Sequence, residues 1–521
     1  MAASERPRRL ALSTAIFAGA TAVSRVLGLA REIVTAYFFG VRGPINAFQV
    51  AFLVPNTVRA LVADQALSGA FVPVFSELLA RGERARAWRV ASTVFWLMLL
   101  GLGALTAVYT LVAPWLMPAL FPAYDEDLLV SLSRLLFPTV VLLGVSGVVV
   151  GILNSYEHFA IPALTPVLWN VAIIAGVAVG VPLADATDTK LQIYAVSILV
   201  GTVIQVLMPV PWLRGRDGRL RVLLDVRDPA VKQVFVLMVP VTLGLGLINF
   251  NAFVDGLFAA RLIDPDIAPA AIEKAFRLYM LPQGIFSVAV ATVLFPALSR
   301  LAALRDAEGF LATVNLGLRQ IAFLLIPASV AAAVLAEPIV RLVYQRGEFT
   351  ADETPVVAGA LAAFTFGLTF NGAMLMLNRA FFGRQSPWLP TWVALGNLGL
   401  NAALDAVFYR VGVWGIPLAT SLVNVAGTTA LLYLLRREIG PIRARETGRV
   451  TARILLAACL LGGVAYAVWY GLDTALGRAL PAQLVSVGTA LAAGGAAYAL
   501  ACRALGVAEL QALLSLRRRR R

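Results

Sequence analysis

"SRVLGLARE", residues 24–32, and "PNTVRAL", residues 55–61, put charged side chains inside stretches that are otherwise long and apolar enough to cross a bilayer. A charge at the centre of a spanning helix costs about 2.5–3.5 kcal/mol on insertion scales, so an arginine there faces a bundle interior, a partner or water rather than lipid. The rest of the chain agrees that the solvent is a membrane. Its 521 residues are 60% hydrophobic and 14% charged, with a mean hydropathy of +0.83, far outside the range of soluble domains.

A spanning helix needs roughly 20 mostly apolar residues, because backbone groups must be bonded internally across a hydrocarbon core about 30 Å thick. Charged, Pro and Gly breaks divide the chain into fourteen such spans, near residues 10–39, 46–79, 88–118, 129–153, 161–182, 191–213, 232–261, 271–299, 311–335, 354–382, 388–409, 414–436, 450–471 and 482–504. The expected fold is an all-α polytopic membrane protein. Arg6, Arg8 and Arg9 followed by "AGATA" imitate a secretory leader, but the apolar run continues past that point and is read as the first span.

The formal net charge of +14 is not the footprint of a nucleic-acid binder, because it sits in short loops between spans. "RGERARAWR", "LRGRDGRLRVLLDVRDPAVK", "SRLAALRD", "RREIGPIRARETGR" and the terminal "RRRRR" fall on one side; "PAYDED", "LADATD", "IDPDIAP" and "TADET" fall on the other. The positive-inside rule then predicts both termini in the cytoplasm. Topology and attraction to anionic membrane lipid account for the basic loops.

The first twelve spans contain a repeat. Ala47-Phe48, Pro55-Asn56 and "VPVFS" at 72–76 in the second span are echoed by Ala275-Phe276, Pro282-Gln283 and "FPALS" at 295–299 in the eighth. Two six-helix lobes follow, residues 1–213 and 214–440, with a C-terminal helix pair and basic tail at 441–521. Pro-interrupted helices in matching positions are a common plan for transporters that rock around a central cavity.

Arg25, Arg31, Arg59 and Arg277 all lie well inside expected spans. Four cations of this kind call for an anion, and the planar guanidinium fork suits phosphate oxygens. Arg25 and Arg31 are separated by about 120° on a straight helix, so a bend at Gly28 is needed to bring them together. Asn56 and Arg59 share the face just beyond the break expected at Pro55. The alternative is internal neutralisation by Glu32, Asp64 and Glu77, with Arg25 and Glu32 near one face. A second polar group, Asp255 with Asn401 and Asp405, supplies oxygens suited to a hard cation such as sodium, with Thr420 and Ser421 as further donors. A hydrogen-bonded helix contact is the competing reading.

Catalysis is not expected. Cys459 and Cys502 form no disulfide framework, His158 is the single histidine, and there is neither a nucleophile beside a base nor a GxxxxGK[ST] loop. Transport would draw on an ion gradient, the membrane potential or the substrate gradient.

"SRVLGLARE", "AFQVAFLVPNTVRAL", "LPQGIFSVAVATVLFPALSR" and "RGEFTADET" resemble the MurJ (MviN) lipid II flippases. The resemblance implies two six-helix lobes around a central cavity plus two C-terminal helices. It implies transfer of undecaprenyl-pyrophosphate-linked peptidoglycan precursor to the outer leaflet of the bacterial cytoplasmic membrane by alternating access. Arg25, Arg31, Arg59 and Arg277 would contact the pyrophosphate, and a sodium site would fall near Asp255, Asn401, Asp405 and Thr420. Cell-wall synthesis proteins are the implied partners, and nothing requires more than a monomer. The chain departs from the family at Asn46, where many members carry an acid at a gate, at Gln65 after Asp64, and at Met280. Two alternatives stay open: a flippase for another polyprenyl-pyrophosphate glycan, and a cation-coupled drug antiporter on a similar fold, which buried arginines oppose by repulsion.

Overall fold

The computed structural model describes residues 2–62, 65–386, 388–440 and 444–510, and among these the regular structure is helical throughout. Ten helices or helix pairs within the described residues are long and apolar enough to cross a membrane. The other expected spans fall on α1, on α2 with α3, on α9 and on α15, whose bounds follow.

By packing the chain forms two units, Met1–Arg261 with Pro265–Pro269, and Leu262–Asp264 with Ala270–Arg521. The first holds α1 (Ala2–Phe39), α2 (Ile45–Val62), α3 (Gln65–Ala80), α4 (Arg84–Leu120), α5 (Glu126–Leu136), α6 (Pro138–Ser155), α7 (Ala160–Gly180), α8 (Thr187–Leu207) and α9 (Pro229–Phe258). Asp125 caps α5, its carboxylate accepting from the Leu128 N–H at 2.8 Å. Pro138, which lacks an N–H, starts α6 directly after it, so α5 and α6 form one bent span. Here α4 packs on α6, α3 on α6, α2 on α5, α7 on α8, and α1 on α7. Helix α7 approaches α8 closely because Gly176 has no Cβ; one built there would stand 2.3 Å from Ser197 Oγ. Helix α9, the seventh of the expected spans, packs against α2 and α3 in this unit.

The second unit holds α10 (Ala268–Pro282), a π-helical turn Gln283–Ser287, α11 (Val288–Ala303), α12 (Ala307–Val334), α13 (Ala336–Tyr344), α14 (Thr354–Gly383), α15 (Trp388–Phe408), α16 (Gly415–Ile439), α17 (Ala444–Leu476) and α18 (Leu480–Ala504). Its packing repeats that of the first: α12 on α14, α11 on α14, α15 on α16, and α14 on α16.

The correspondence extends to single turns. Gly82 at φ 79° precedes the Glu83 that opens α4, and Arg305 at φ 55° precedes the Asp306 that opens α12. After α6 and α14, Glu157 and Gln385 take φ of 59° and 57°. The His158 N–H reaches back to Leu153 O at 2.9 Å, and the Ser386 N–H to Phe381 O at 3.0 Å, closing both helices with left-handed caps.

The C-terminal hairpin α17–α18 lies on α12 through a cluster that includes Phe323, Ile326, Ile454, Leu461 and Tyr498. The Tyr498 hydroxyl donates to Phe323 O at 2.7 Å. Ion pairs fasten both ends. Arg319 meets Glu446 at 2.9 Å and Glu509 at 2.5 Å; Arg341 on α13, with a side chain 5% exposed, meets Asp473 at 3.1 Å.

Candidate functional site

Helix α1 runs without interruption through Gly28 and carries both Arg25 and Arg31. Arg25 is exposed, whereas Arg31 is 9% exposed. The Arg31 guanidinium donates to Glu32 Oε1 at 2.7 Å and lies 4.7 Å above the Trp169 ring of α7. Glu32 therefore serves Arg31 rather than Arg25. The carboxylate offsets the charge and the indole face supports it, a cation–π contact worth about 0.5–2 kcal/mol.

On α2 the pairing follows the sequence spacing. The helix runs through the buried Pro55, and Arg59 Nη2 donates to Asn56 Oδ1 at 2.8 Å. The amide thus holds the guanidinium along one helical face while both side chains stay half-buried. Asp64 lies outside the described residues.

Asn46 is fully buried at the start of α2. Its Nδ2 donates to three backbone carbonyls, Val41 O at 2.9 Å, Gly43 O at 3.1 Å and Asp266 O at 2.6 Å. In this chain the position anchors the 264–266 turn to the α1–α2 corner, a task suited to an amide donor.

On α10, Arg277 Nη2 stands 2.5 Å from Glu273 Oε1, one turn earlier. The neighbouring Lys274 is 1% exposed, with its ammonium 5.7 Å from the centre of the Tyr344 ring. Sequence reasoning missed both Glu273 and Lys274, although the i, i+4 spacing of Glu273 and Arg277 is a readable signal. It also missed the polar relay that crosses this unit: Gln283 Nε2 donates to Asn371 Oδ1 at 2.8 Å, and Asn371 Nδ2 to Asn424 Oδ1 at 3.2 Å. The relay begins in the π-helical turn after Pro282, where the regular ladder is already broken.

The candidate cation ligands divide between the units. Asp255, on α9 of the first unit, accepts from Asn251 Nδ2 at 3.3 Å. In the second, Asn401 and Asp405 are fully buried on α15, with Asn401 Nδ2 donating to Asp405 Oδ2 at 2.9 Å. Thr420 Oγ1 on the adjacent α16 is buried and makes no hydrogen bond. Ser421 does not suit a cation: its hydroxyl donates to Ala363 O at 2.7 Å and accepts from the Gly367 N–H at 3.0 Å. A buried carboxylate beside an amide supplies oxygens of the kind a hard cation takes. Among the described residues no group of three or more His, Cys, Asp or Glu side chains could hold a metal ion.

The site is therefore a set of arginines on spanning helices, of which Arg31 and Arg277 are paired with acids of their own helices, and Arg59 with an amide. Arg25, Arg31 and Arg59 belong to the first unit and Arg277 to the second.

The family profile described as "Lipid II flippase MurJ" matches residues 35–499. A curated relative from Burkholderia cenocepacia, "Lipid II flippase MurJ", is 30% identical over 483 residues, covering 90% of this chain and 92% of the relative. A "Probable lipid II flippase MurJ" from Vibrio cholerae is 31% identical, covering 90% of each chain. Among solved structures, "Lipid II flippase MurJ, inward closed conformation" aligns with a TM-score of 0.77 at 25% identity, covering 94% of this chain and 99% of that one. An inward-facing multidrug resistance MATE family transporter of the MOP superfamily aligns at 0.69 with 18% identity, covering 80% of this chain and 94% of that one, a likeness of fold alone. A family profile matched from the end of α1 to near the end of α18, and relatives matched over nine-tenths of their length, give one result: this chain is a multi-span membrane protein of the MurJ lipid II flippase family.

Proposed function

We propose that the protein moves undecaprenyl-pyrophosphate-linked peptidoglycan precursor, lipid II, from the inner to the outer leaflet of the bacterial cytoplasmic membrane by alternating access. Family membership across residues 35–499 is the observation that carries this reading. Arg25, Arg31, Arg59 and Arg277 hold the pyrophosphate. Arg59 is positioned for this by Asn56, whose amide oxygen accepts from the guanidinium. Arg31 and Arg277 exchange a carboxylate, Glu32 or Glu273, for phosphate oxygens when the headgroup enters. The exchange replaces one charge-assisted bond with another, so the cations are never left bare in a medium of low dielectric constant. Both termini face the cytoplasm, where anionic lipid meets the basic turns.

Asp405, Asn401 and Thr420 supply a cation site in the second unit, and Asp255 a further carboxylate in the first, for coupling to a sodium gradient. The bound ion would supply charge that offsets the buried Asp405 carboxylate.

The test is complementation of flippase-depleted bacteria with surface lipid II as readout. The wild-type chain is expected to restore it, and Arg59→Ala and Arg277→Ala to abolish it while still inserting. Normal surface lipid II in both variants would refute the clamp. Asp405→Asn is expected to remove sodium dependence, and an unchanged sodium response would refute the ion site.

A further inference from the structure

At the end of the second unit where α11 turns into α12 and α14 gives way to α15, a cavity of about 570 Å³ opens. Ser299, Arg305, Asp306, Phe310, Phe382 and Arg384 stand in its wall. The Arg384 guanidinium lies 5.8 Å from the centre of the Phe310 ring, and its Nε is buried without a hydrogen bond, 3.5 Å from Glu438. Asp306 is committed to the helix, its Oδ1 accepting from the Gly309 N–H at 2.8 Å. Of the two arginines in the wall, Arg305 is exposed, and Arg384 is half-buried and ion-paired with Glu438.

The repeat supplies a second view of this place. In the first unit the turn at Gly82-Glu83 corresponds to Arg305-Asp306 and Tyr156 to Arg384, while Trp88 lies one position beyond the counterpart of Phe310. There the chain covers the position itself. Gly218 lies so close to the Trp88 ring that a Cβ would stand 2.4 Å from it. The Arg216 guanidinium sits 5.2 Å above the Tyr156 ring. The same loop brings in an anion: the Asp217 carboxylate accepts from the Tyr156 hydroxyl at 3.2 Å and pairs with Arg84 at 2.7 Å. In the second unit the corresponding connection is only residues 440–443, between the end of α16 and the start of α17, against residues 214–228 in the first.

We propose that this recess binds a phosphate-bearing anion, held by the guanidinium forks of Arg305 and Arg384 where the first unit places Asp217. Its source is an acidic phospholipid headgroup or a soluble phosphorylated compound. Arginine forks match phosphate oxygens, and basic pockets at the ends of spanning helices are a recurrent headgroup site. The volume is that of an ordinary small-ligand pocket. Phe310 and the exposed Phe382 supply apolar surface for the group that carries the phosphate.

The test uses the purified full chain and native mass spectrometry with phosphatidylglycerol, phosphatidylcholine and inorganic phosphate as probes. Wild type is expected to hold phosphatidylglycerol roughly tenfold more tightly than the Arg305→Gly/Arg384→Gln double variant, about the effect of losing one or two charge-assisted bonds. Phosphatidylcholine is expected to bind equally weakly to both. Displacement of phosphatidylglycerol by inorganic phosphate identifies a soluble source, and its persistence a lipid source. Arg305→Gly alone keeps the left-handed backbone and leaves the contacts of Arg384 intact, so it remains readable if the double variant fails to fold; about a threefold loss is expected. Equal retention by wild type and Arg305→Gly overturns the proposal. So does phosphatidylcholine bound as tightly as phosphatidylglycerol, or tighter binding of a hexaglutamate peptide than of either phosphate probe.

Discussion

Replacing Glu509 by Gln tests what fastens the C-terminal hairpin to α12. Arg319 Nε meets Glu509 Oε1 at 2.5 Å, with side chains 19% and 5% exposed. Arg319 also reaches Glu446 at 2.9 Å, but that acid is 54% exposed. Removing one partner of a buried pair costs about 3–5 kcal/mol. In Glu509→Gln the amide oxygen still accepts and Glu446 remains, which brings the expected cost to about 2 kcal/mol, or roughly a 30-fold shift in the equilibrium for lifting the hairpin. Glu446→Gln removes a mostly solvated partner and is expected to cost about 0–1 kcal/mol, at most roughly fivefold. Cys502 provides the readout, because it is fully buried in the cluster between α18 and α12, whereas Cys459 is exposed. In a Cys459→Ser background, maleimide is expected to label Cys502 about 30-fold faster in Glu509→Gln and less than about fivefold faster in Glu446→Gln. Equal rates in the two variants would show that burial of the pair does not set its strength here.

Gly218→Ala is expected to lift the 214–228 loop from Trp88, since the new methyl group would stand 2.4 Å from the ring; tryptic cleavage after Arg219 or Arg221 should become several-fold faster, and an unchanged rate would count against the close approach. The same loop should release in acid. Hydrogen bonds from Arg86 hold the Asp228 carboxylate below the usual carboxylate range, so its contribution is complete above an ordinary pKa of about 3.9 and disappears as pH falls through the depressed value. Exchange protection at the Arg221 and Asp225 amides, bonded to Ser92 and Thr93, is expected to fall below about pH 4, and in Asp228→Asn to be reduced already at pH 7. Asn46→Asp would face a carboxylate toward three carbonyl oxygens. A cost of about 3 kcal/mol or more and a melting point in detergent lowered by roughly 3 °C or more are expected; an unchanged melting point would refute the assignment of Asn46 as a donor.

The spans and the repeat were legible because both depend on local composition: apolar runs, prolines and the motif around Phe75 and Phe295 survive in one dimension. The Asn56–Arg59 pair was legible for the same reason, being three residues apart on one helix. The Glu273–Arg277 pair is equally local, four residues apart on α10. Arg25 and Glu32 are seven residues apart on α1, close in angle, yet Arg31 takes the carboxylate because Trp169 of α7 holds its guanidinium in place. No sequence spacing reports that ring. The role of residues 214–228 was hidden more thoroughly: their charges explain topology so well that the chain's own seat on Trp88 and Tyr156 leaves no separate trace. The links from Arg319 to Glu509 and from Arg341 to Asp473 were likewise invisible, since those partners lie more than a hundred residues away.

A hairpin riveted at both extremities has no independent swivel. Arg319 with Glu509 secures one extremity to α12 and Arg341 with Asp473 the other to α13, so α17 and α18 travel as passengers of these two helices. A spin label or fluorophore on α18 would consequently act as a goniometer for α12, and a fusion appended beyond Ala504 would ride with the same rigid body.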